Sequence, residues 1–213
     1  MIQEDDFLKQ FKKELAHNLP GESAHQKMAP LNRPLSSYAI KEATNIRESA
    51  VAVILFRKND EIHCVLTQRQ EYEGNHSGQI SFPGGKKDES DSHLEETARR
   101  ECFEEIGIQR SIGLLLGQLT DVFIPVSGFK VSPFVYFHHE LPNLIRNERE
   151  VAEIIDFPLF DLKKEAIISQ MEITLPNGNT LKKVPYFNLS DKQVWGATAL
   201  ILSEIKEILL SID

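Results

Sequence analysis

A glycine turn that leads into an acidic helix, between residues 82 and 108, constrains the fold of this chain more than any other segment. Its sequence reads FPGGKKDESDSHLEETARRECFEEIGI. On the predicted helix, Glu101, Glu104 and Glu105 are spaced by three and four residues, so they share one face. Gly107 suits the left-handed conformation that often ends a helix. The opposite face carries small and apolar residues that would anchor the helix to a core: Leu94, Ala98, Cys102 and Ile106.

The three glutamates favour binding of a divalent cation. Like charges on one helix face repel, and a cation removes that repulsion while gaining oxygen ligands; Mg²⁺ prefers a few carboxylates together with substrate phosphates. An acidic helix face by itself is more often only solvated surface. The Gly84-Gly85 turn ahead of the helix and Arg100 beside Glu101 favour the metal interpretation. We therefore expect a rigid helix that points its acidic face outward.

Apolar and turn patterns elsewhere predict strands packed with a few helices. Residues 50–56 form an apolar run of strand length, and Asn177-Gly178 is a strong hairpin signal. This succession indicates an α/β fold with a mixed sheet. Strands are predicted over 50–56, 62–67, 79–82, 113–122, 131–138, 154–157, 171–175 and 180–187, and helices over 92–106 and 196–210, the last with a buried stripe of Ala199, Leu202, Ile205 and Leu209.

The first 37 residues are predicted to form an N-terminal helical arm and linker, ahead of one domain over 38–213. An amphipathic helix over 5–19 would end at Pro20-Gly21, and residues 20–37 have no pattern of an element of their own. The arm could pack on the main body or bind a partner, including a second copy of the chain, and packing is favoured. Its apolar positions are Phe7, Leu8, Phe11, Leu15 and Leu19.

Composition excludes several classes of function. The 213 residues include 41% hydrophobic and 26% charged residues, with a net charge of −8, which is unfavourable for a nucleic-acid binder. Cys64 and Cys102 lie in apolar runs, which indicates buried thiols in a reducing compartment. The acidic N-terminus does not look like a signal peptide, and no apolar run approaches the roughly 18–20 residues of a membrane helix. We expect a cytoplasmic protein with a small anionic substrate, no nucleic-acid partner and no membrane association.

The acidic segment resembles the Nudix box, G-x5-E-x7-R-E-U-x-E-E-x-G-U, where U is a bulky aliphatic residue. Two features depart from the pattern: the spacing is one residue longer, and Asp91-Ser92 stands where the box has its first glutamate. That glutamate is chiefly a structural partner of the loop, so the metal site would survive. The resemblance implies an α/β/α sandwich with a mixed sheet. The matching residues are Gly85, Arg100, Glu101, Glu104, Glu105, Gly107 and Ile108.

Further segments resemble the coenzyme A pyrophosphatases within that family. Residues 66–69 (LTQR), 76–85 (HSGQISFPGG) and 194–199 (VWGATA) are similar to their signatures, so the resemblance extends over about residues 47–210. Gln70 stands where the signature has serine, and Gly74 where it has its second arginine. The implied reaction converts CoA and water to 4′-phosphopantetheine and adenosine 3′,5′-bisphosphate.

By resemblance, Glu101, Glu105, Glu104 and the Gly84 carbonyl would bind Mg²⁺ or Mn²⁺. The same glutamates could take the proton of the attacking water. Arg69, His76 and Gln79 are the candidates for substrate contact, although His76 could also act as a general acid or only hydrogen-bond within its loop. Arg100 would orient the glutamates, Trp195 would belong to the core, and a distal acid would be Glu148, Glu150 or Glu153, with Glu150 preferred because it opens an apolar run.

Three rival interpretations stay open from the sequence. The first is a Nudix hydrolase of another diphosphate, such as ADP-ribose, NADH or a nucleoside triphosphate. The second is a catalytically silent Nudix-fold binding module, although such modules usually lose the metal glutamates. The third is an unrelated α/β protein whose acidic helix is only surface. The sequence leaves the oligomeric state open.

Overall fold

The computed structural model describes residues 4–71, 78–109, 113–174, 178 and 180–212. In chain order, the elements are α1 (Glu4–His17), α2 (Glu22–Lys27), α3 (Ser36–Ala39), β1 (Arg47–Lys58), β2 (Glu61–Arg69), β3 (Ile80–Ser81), β4 (Gly84–Lys86), α4 (Leu94–Ile106), β5 (Leu114–Gln118), β6 (Val122–Ile124), β7 (Phe129–His138), β8 (Val151–Pro158), two short 3₁₀ helices (Leu159–Lys163 and Glu165–Ile167), β9 (Ile168–Thr174), β10 (Thr180–Leu189), β11 (Lys192–Val194) and α5 (Gly196–Ser211).

The main sheet is mixed and has β1 at its centre. Its strand order is β3-β2-β1-β7-β5, and β4, β6 and β8 add to β1, β7 and β2 respectively. Strands β1 and β7 run parallel, whereas β1 pairs antiparallel with β2 and β4. Strands β9, β10 and β11 form a second, antiparallel sheet. The predicted hairpin between β9 and β10 is confirmed by this pairing, and Asn177 itself lies outside the described residues.

Side chains of β1 alternate between two helical layers, as strand geometry requires. Ala52 and Ile54 belong to a core with α4, whereas Val53 and Leu55 belong to a larger core with α5. The predicted α/β/α sandwich is therefore confirmed. Both cysteines are free and buried, Cys102 in the first core and Cys64 in the second, as the sequence predicted.

The N-terminal helix α1 packs on the main body, as the favoured interpretation predicted. It has no separate core, because its apolar face joins the cluster that contains β1 and α5. Leu19 lies beyond the end of the helix and is 38% exposed. The division at residue 37 stays a prediction. The buried residues of α1 are Phe7, Leu8, Phe11 and Leu15.

The prediction of an irregular linker over 20–37 is wrong, because the linker contains α2 and the start of α3. Helix α2 is ordered by tertiary contacts that local sequence does not reveal. Ala24 is fully buried, and its carbonyl accepts a hydrogen bond from the Ser203 hydroxyl at 2.7 Å. The Gly21 amide at the start of α2 donates to Glu204 of α5 at 3.1 Å.

The strand predicted over 113–122 is also wrong as a single element. It is divided into β5 and β6 by a turn at 119–121. The amide and the hydroxyl of Thr120 both donate to Glu204, at 3.1 and 2.6 Å, so a buried carboxylate stabilises the turn. None of the helices in the described part of the chain is long and apolar enough to cross a membrane.

Candidate active site

Helix α4 is fixed at both ends by local hydrogen bonds. At its start, the Glu96 amide donates to the His93 ring at 3.2 Å, and the amide and hydroxyl of Ser92 both donate to the Glu96 carboxylate at 2.8 Å. At its end, Gly107 adopts the predicted left-handed conformation, with φ of 77°. Because Ala98, Cys102 and Ile106 are buried against the sheet, the rotation of the helix is set, and its glutamates face β4.

The three glutamates differ greatly in exposure. Their side chains are 44% exposed for Glu104, 15% for Glu101 and 4% for Glu105. The expectation of an acidic face that points wholly outward is therefore wrong for Glu105. Two groups outside the helix cover it: the Gly84 amide donates to Glu105 Oε2 at 3.2 Å, and Arg69 Nη1 lies 3.5 Å from Glu105 Oε1.

Burial leaves this carboxylate cluster short of compensating charge. Desolvation raises the pKa of Glu105 to about 8, although Arg69 and the Gly84 amide oppose the rise; Glu101 and Glu150 contribute to it. Desolvation likewise raises the pKa of Glu101 despite its bond to Arg100. A cluster with unsatisfied negative charge is a favourable place for a cation.

Arg100 orients Glu101 and Glu104 from a buried support. Its Nη1 donates to Glu101 Oε1 at 2.7 Å and to Glu104 Oε2 at 3.1 Å. Its Nε and Nη2 donate to Asp91, which is 5% exposed and also accepts from the Thr97 hydroxyl at 2.8 Å. The hydrogen bonds from Arg100 hold the pKa of Asp91 well below its usual range. Asp91 thus stabilises Arg100 from the position where the box has its first glutamate.

The glycine turn lies close to the helix because it has no side chains. A Cβ on Gly85 would lie 2.4 Å from Glu101 Cδ, and a Cβ on Gly84 would lie 2.4 Å from the Ala50 carbonyl oxygen. Both contacts are closer than real Cβ atoms tolerate. The Glu101 carboxylate can therefore pack against the backbone of the turn, and any larger residue at 85 would displace this carboxylate.

Two of the three residues predicted to contact substrate can be located in the structure. Arg69 is the last residue of β2, and its Nε has no hydrogen-bond partner among the described residues. Gln79 lies beside it, because the Gln79 carbonyl accepts from the Arg69 amide at 3.0 Å. His76 lies outside the described residues. Trp195 is partly exposed at the start of α5, so its assignment to the core holds only in part.

Of the three candidates for the distal acid, Glu150 lies on the segment that is bonded to α4, where the Asn147 amide donates to the Glu105 carbonyl at 2.9 Å. Glu148 is paired with Arg146 at 3.1 Å, and Glu153 is paired with Lys192 at 2.6 Å. The negative charge of Glu150 contributes to the raised pKa of both Glu101 and Glu105. Its role as a ligand or base stays a prediction.

Comparison with known proteins identifies the family. The NUDIX domain model matches residues 46–176, more than half of the chain. The chain belongs to the Nudix family. It is 35% identical over 144 residues to an uncharacterised Nudix hydrolase, NudL, of Yersinia enterocolitica, covering 67% of this chain and 72% of that protein. It is 30% identical over 165 residues to NudL of Yersinia pestis, covering 78% and 80%.

The fold is likewise that of solved Nudix hydrolases. The Nudix hydrolase RenU of M. smegmatis has a TM-score of 0.54 at 14% sequence identity, covering 78% of this chain and 88% of that one. Such a likeness concerns the fold alone. Together with the family match, the kept box makes this protein a Nudix diphosphate hydrolase. Nudix hydrolases generally use divalent metal ions.

The donors of this Nudix site fit a hard cation. Glu101, Glu104 and Glu105 offer only oxygen, beside the backbone of the glycine turn, which suits Mg²⁺ or Mn²⁺. Over the described ranges, however, no three acidic, histidine or cysteine side chains already converge to hold a metal ion. Arg100 engages Glu101 and Glu104, whereas Glu105 faces Arg69. Joint coordination would require at least one carboxylate to turn from its arginine.

Two residues of the site were missed from the sequence. Gln70 and Asn147 hold the segment that carries Glu150, through hydrogen bonds to its backbone and side chain. Gln70 gave a signal, because it departs from the serine of the signature. Asn147 gave none, since an asparagine in a polar loop is ordinary.

Proposed function

We propose that this Nudix hydrolase cleaves the diphosphate of coenzyme A to 4′-phosphopantetheine and adenosine 3′,5′-bisphosphate. The observation that carries the proposal is that Glu101, Glu105 and Arg69 lie together at the Gly84-Gly85 turn. Carboxylates and an arginine around one backbone turn suit a phosphate substrate that arrives with a cation.

Water would attack one phosphorus of the diphosphate, the bond from that phosphorus to the bridging oxygen would break, and one proton of the water would be released. Glu101, Glu104, Glu105 and the Gly84 carbonyl would hold Mg²⁺ or Mn²⁺, which when bound lowers the pKa of water and neutralises charge on the phosphates. A glutamate of the box would accept that proton, as a carboxylate within hydrogen-bond reach of the attacking water can. The guanidinium fork of Arg69 matches phosphate oxygens.

The specificity for CoA is supported by where the signature segments lie. Residues 66–69 end β2 and residues 80–81 form β3, which pair antiparallel beside the glutamates. Residues 194–199 join β11 to α5, and the Thr198 hydroxyl donates to the Ile80 carbonyl at 3.0 Å. Two neighbouring segments, 66–69 and 76–85, and the distant segment 194–199 all resemble the CoA pyrophosphatases, and the hydrogen bond from Thr198 joins the distant one to β3.

The test is hydrolysis of CoA, ADP-ribose, NADH and dATP at equal concentration with Mg²⁺, with Mn²⁺ and with EDTA. We expect CoA to be cleaved fastest, with no turnover in EDTA. Glu101→Gln should lose at least about a hundredfold in kcat, whereas Glu172→Gln on the exposed face of β9 should behave as wild type. If another diphosphate is preferred by about tenfold, the CoA proposal is wrong and the diphosphate hydrolase stands. If no substrate is cleaved, a binding module is favoured.

A further inference from the structure

Gln70 joins the end of β2 to the segment that carries Glu150. Its backbone amide donates to the Glu150 carbonyl at 2.9 Å. Its side-chain amide donates to the carbonyls of Glu148 at 2.7 Å and Val151 at 3.5 Å. One residue therefore binds the backbone on both sides of Glu150 and at Glu150 itself. Because Gln70 follows Arg69 directly, this attachment also sets the distance between Glu150 and Arg69.

The same segment is held at its other end by α4. The Ile145 amide donates to the Ile106 carbonyl at 2.8 Å, and the Asn147 amide donates to the Glu105 carbonyl at 2.9 Å. These are carbonyls at the end of a helix, which have no partner within the helix itself. Residues 145–151, hereafter the strap, thus bridge the helix that carries the metal glutamates and the strand that carries Arg69.

Within the strap, a turn fixes the backbone of Glu150. The amides of Glu150 and Val151 donate to the Asn147 carbonyl at 3.1 and 2.9 Å, and the Arg149 amide donates to Asn147 Oδ1 at 3.2 Å. The Asn147 side-chain amide also lies 3.4 Å from Glu150 Oε1. The carboxylate of Glu150 is exposed, so packing does not orient it, and its direction depends on how the strap is attached.

We propose that Gln70 is a positioning residue, which directs Glu150 toward Glu101 and Glu105 through the strap. The proposal rests on the proposed diphosphate hydrolysis, for which Glu150 is the distal acid. Serine, which the CoA signature has here, is too short to bind both carbonyls. This chain therefore orients its distal acid by a contact that the signature does not provide.

The experiment compares Gln70→Ala with wild type in the full chain. The variant keeps the backbone bond to Glu150 and removes both side-chain bonds. We expect kcat for the preferred diphosphate to fall about tenfold, as is usual for residues that orient a metal site, with KM changed less than about twofold. Gln170→Ala, which removes an exposed glutamine from β9, is the matched control and should change neither.

A double-mutant cycle separates positioning from general loosening. If Gln70 acts through Glu150, then Gln70→Ala should cause no further loss of kcat when added to Glu150→Gln. Equal losses in both backgrounds, or an unchanged kcat in the single variant, would overturn the proposal. The thermal midpoint of each variant, measured alongside, identifies one that is merely misfolded, and Gln70→Ser then replaces it.

Two readouts do not depend on turnover. Hydrogen exchange of the strap amides should be faster in Gln70→Ala than in Gln170→Ala, and unchanged exchange would overturn the proposal whatever the activity. A calorimetric titration with Mn²⁺ should show affinity weakened about tenfold in both Gln70→Ala and Glu150→Gln, without addition in the double variant. If no diphosphate is cleaved while these two results hold, the proposed function is wrong and the positioning by Gln70 stands. Equal Mn²⁺ affinities would overturn the positioning.

Discussion

Two buried glutamates, Glu105 in α4 and Glu204 in α5, have nearly the same exposure but opposite electrostatics. They are 3% and 0% exposed. Glu204 accepts hydrogen bonds from the amides of Gly21 and Thr120, from the Thr120 hydroxyl and from the His25 ring. Glu105 has the Gly84 amide at 3.2 Å and Arg69 only at 3.5 Å.

The pKa values follow the number of donors rather than the burial. Burial would raise the pKa of Glu204, but the bonds from His25 and Thr120 outweigh it and lower that pKa below its ordinary value. For Glu105 burial prevails, and the pKa rises to about 8. A buried carboxylate that its own chain satisfies is structural, whereas one left unsatisfied has capacity for a cation or a proton.

The largest expected effect is a difference in catalytic rate between substitutions of the two glutamates. Glu105→Gln should lower kcat for the preferred diphosphate by roughly a thousandfold, because the carboxylate that would hold metal and accept the proton is gone. Its free energy of unfolding should not fall, because burial already disfavours the ionised carboxylate that the substitution removes. Glu204→Gln should keep kcat within about twofold of wild type. Steady-state kinetics in Mg²⁺ decide, and a Glu105→Gln enzyme of normal activity would contradict the assignment.

The second effect concerns stability, and here the substitution of Glu204 has the larger effect. Glu204→Gln should lower the free energy of unfolding by about 3 kcal/mol, because the donors around it lose a charged acceptor in a buried place. Glu207→Gln, one turn along α5, breaks the more exposed pair with Lys27 and should cost less than about 1 kcal/mol. Urea unfolding measures both. Equal losses for the two variants would mean that the Glu204 network is not structural.

The third effect, the smallest when it is measured per pH unit, is the dependence of stability on pH in EDTA. A folded pKa of Glu105 of about 8, against an ordinary 4.5, means that its contribution is complete below about pH 4.5 and is lost as pH rises toward 8. The lowered pKa of Glu204 means that its contribution is present above pH 4.5 and is lost as pH falls through the folded pKa.

Wild-type stability should therefore be greatest near pH 5 and decline on both sides, by up to about 1.4 kcal/mol per pH unit. Glu105→Gln should make the decline above pH 5 shallower, leaving the part caused by the raised pKa of Glu101, and should not change the acid side. Glu204→Gln should make the acid-side decline shallower, leaving the part caused by the lowered pKa of Asp91, and should not change the decline above pH 5. Urea unfolding in a pH series measures this, and two variants with identical profiles would show that these carboxyls do not cause the dependence.

The sequence predicted which face of α4 carries the glutamates because helix periodicity is local. The spacing of Glu101, Glu104 and Glu105 and the glycine at 107 need no knowledge of the rest of the chain. The burial of Glu105 could not be predicted in this way, because it is caused by Gly84 and Arg69, which belong to other elements.

Helix α5 shows the same limit more clearly. Its predicted stripe of Ala199, Leu202, Ile205 and Leu209 is buried, but Glu204 and Lys206 are buried as well. A helix covered on most of its surface does not show a simple amphipathic pattern. The short α2 is a related case, since its partners on α5 are about 180 residues away.

The contact of Gly21 with Glu204 spans 183 residues, so it cannot form in the nascent chain until Glu204 has been synthesised. At the usual pace of translation, roughly 10–40 s separate the synthesis of the two residues. During that interval the apolar side of α1 is already made, while α5, one of the elements that it packs against, has not yet been synthesised. The segment with α1 and Gly21, although made before α5, is thus among the last to reach its native place, and it is where a chaperone would be most needed.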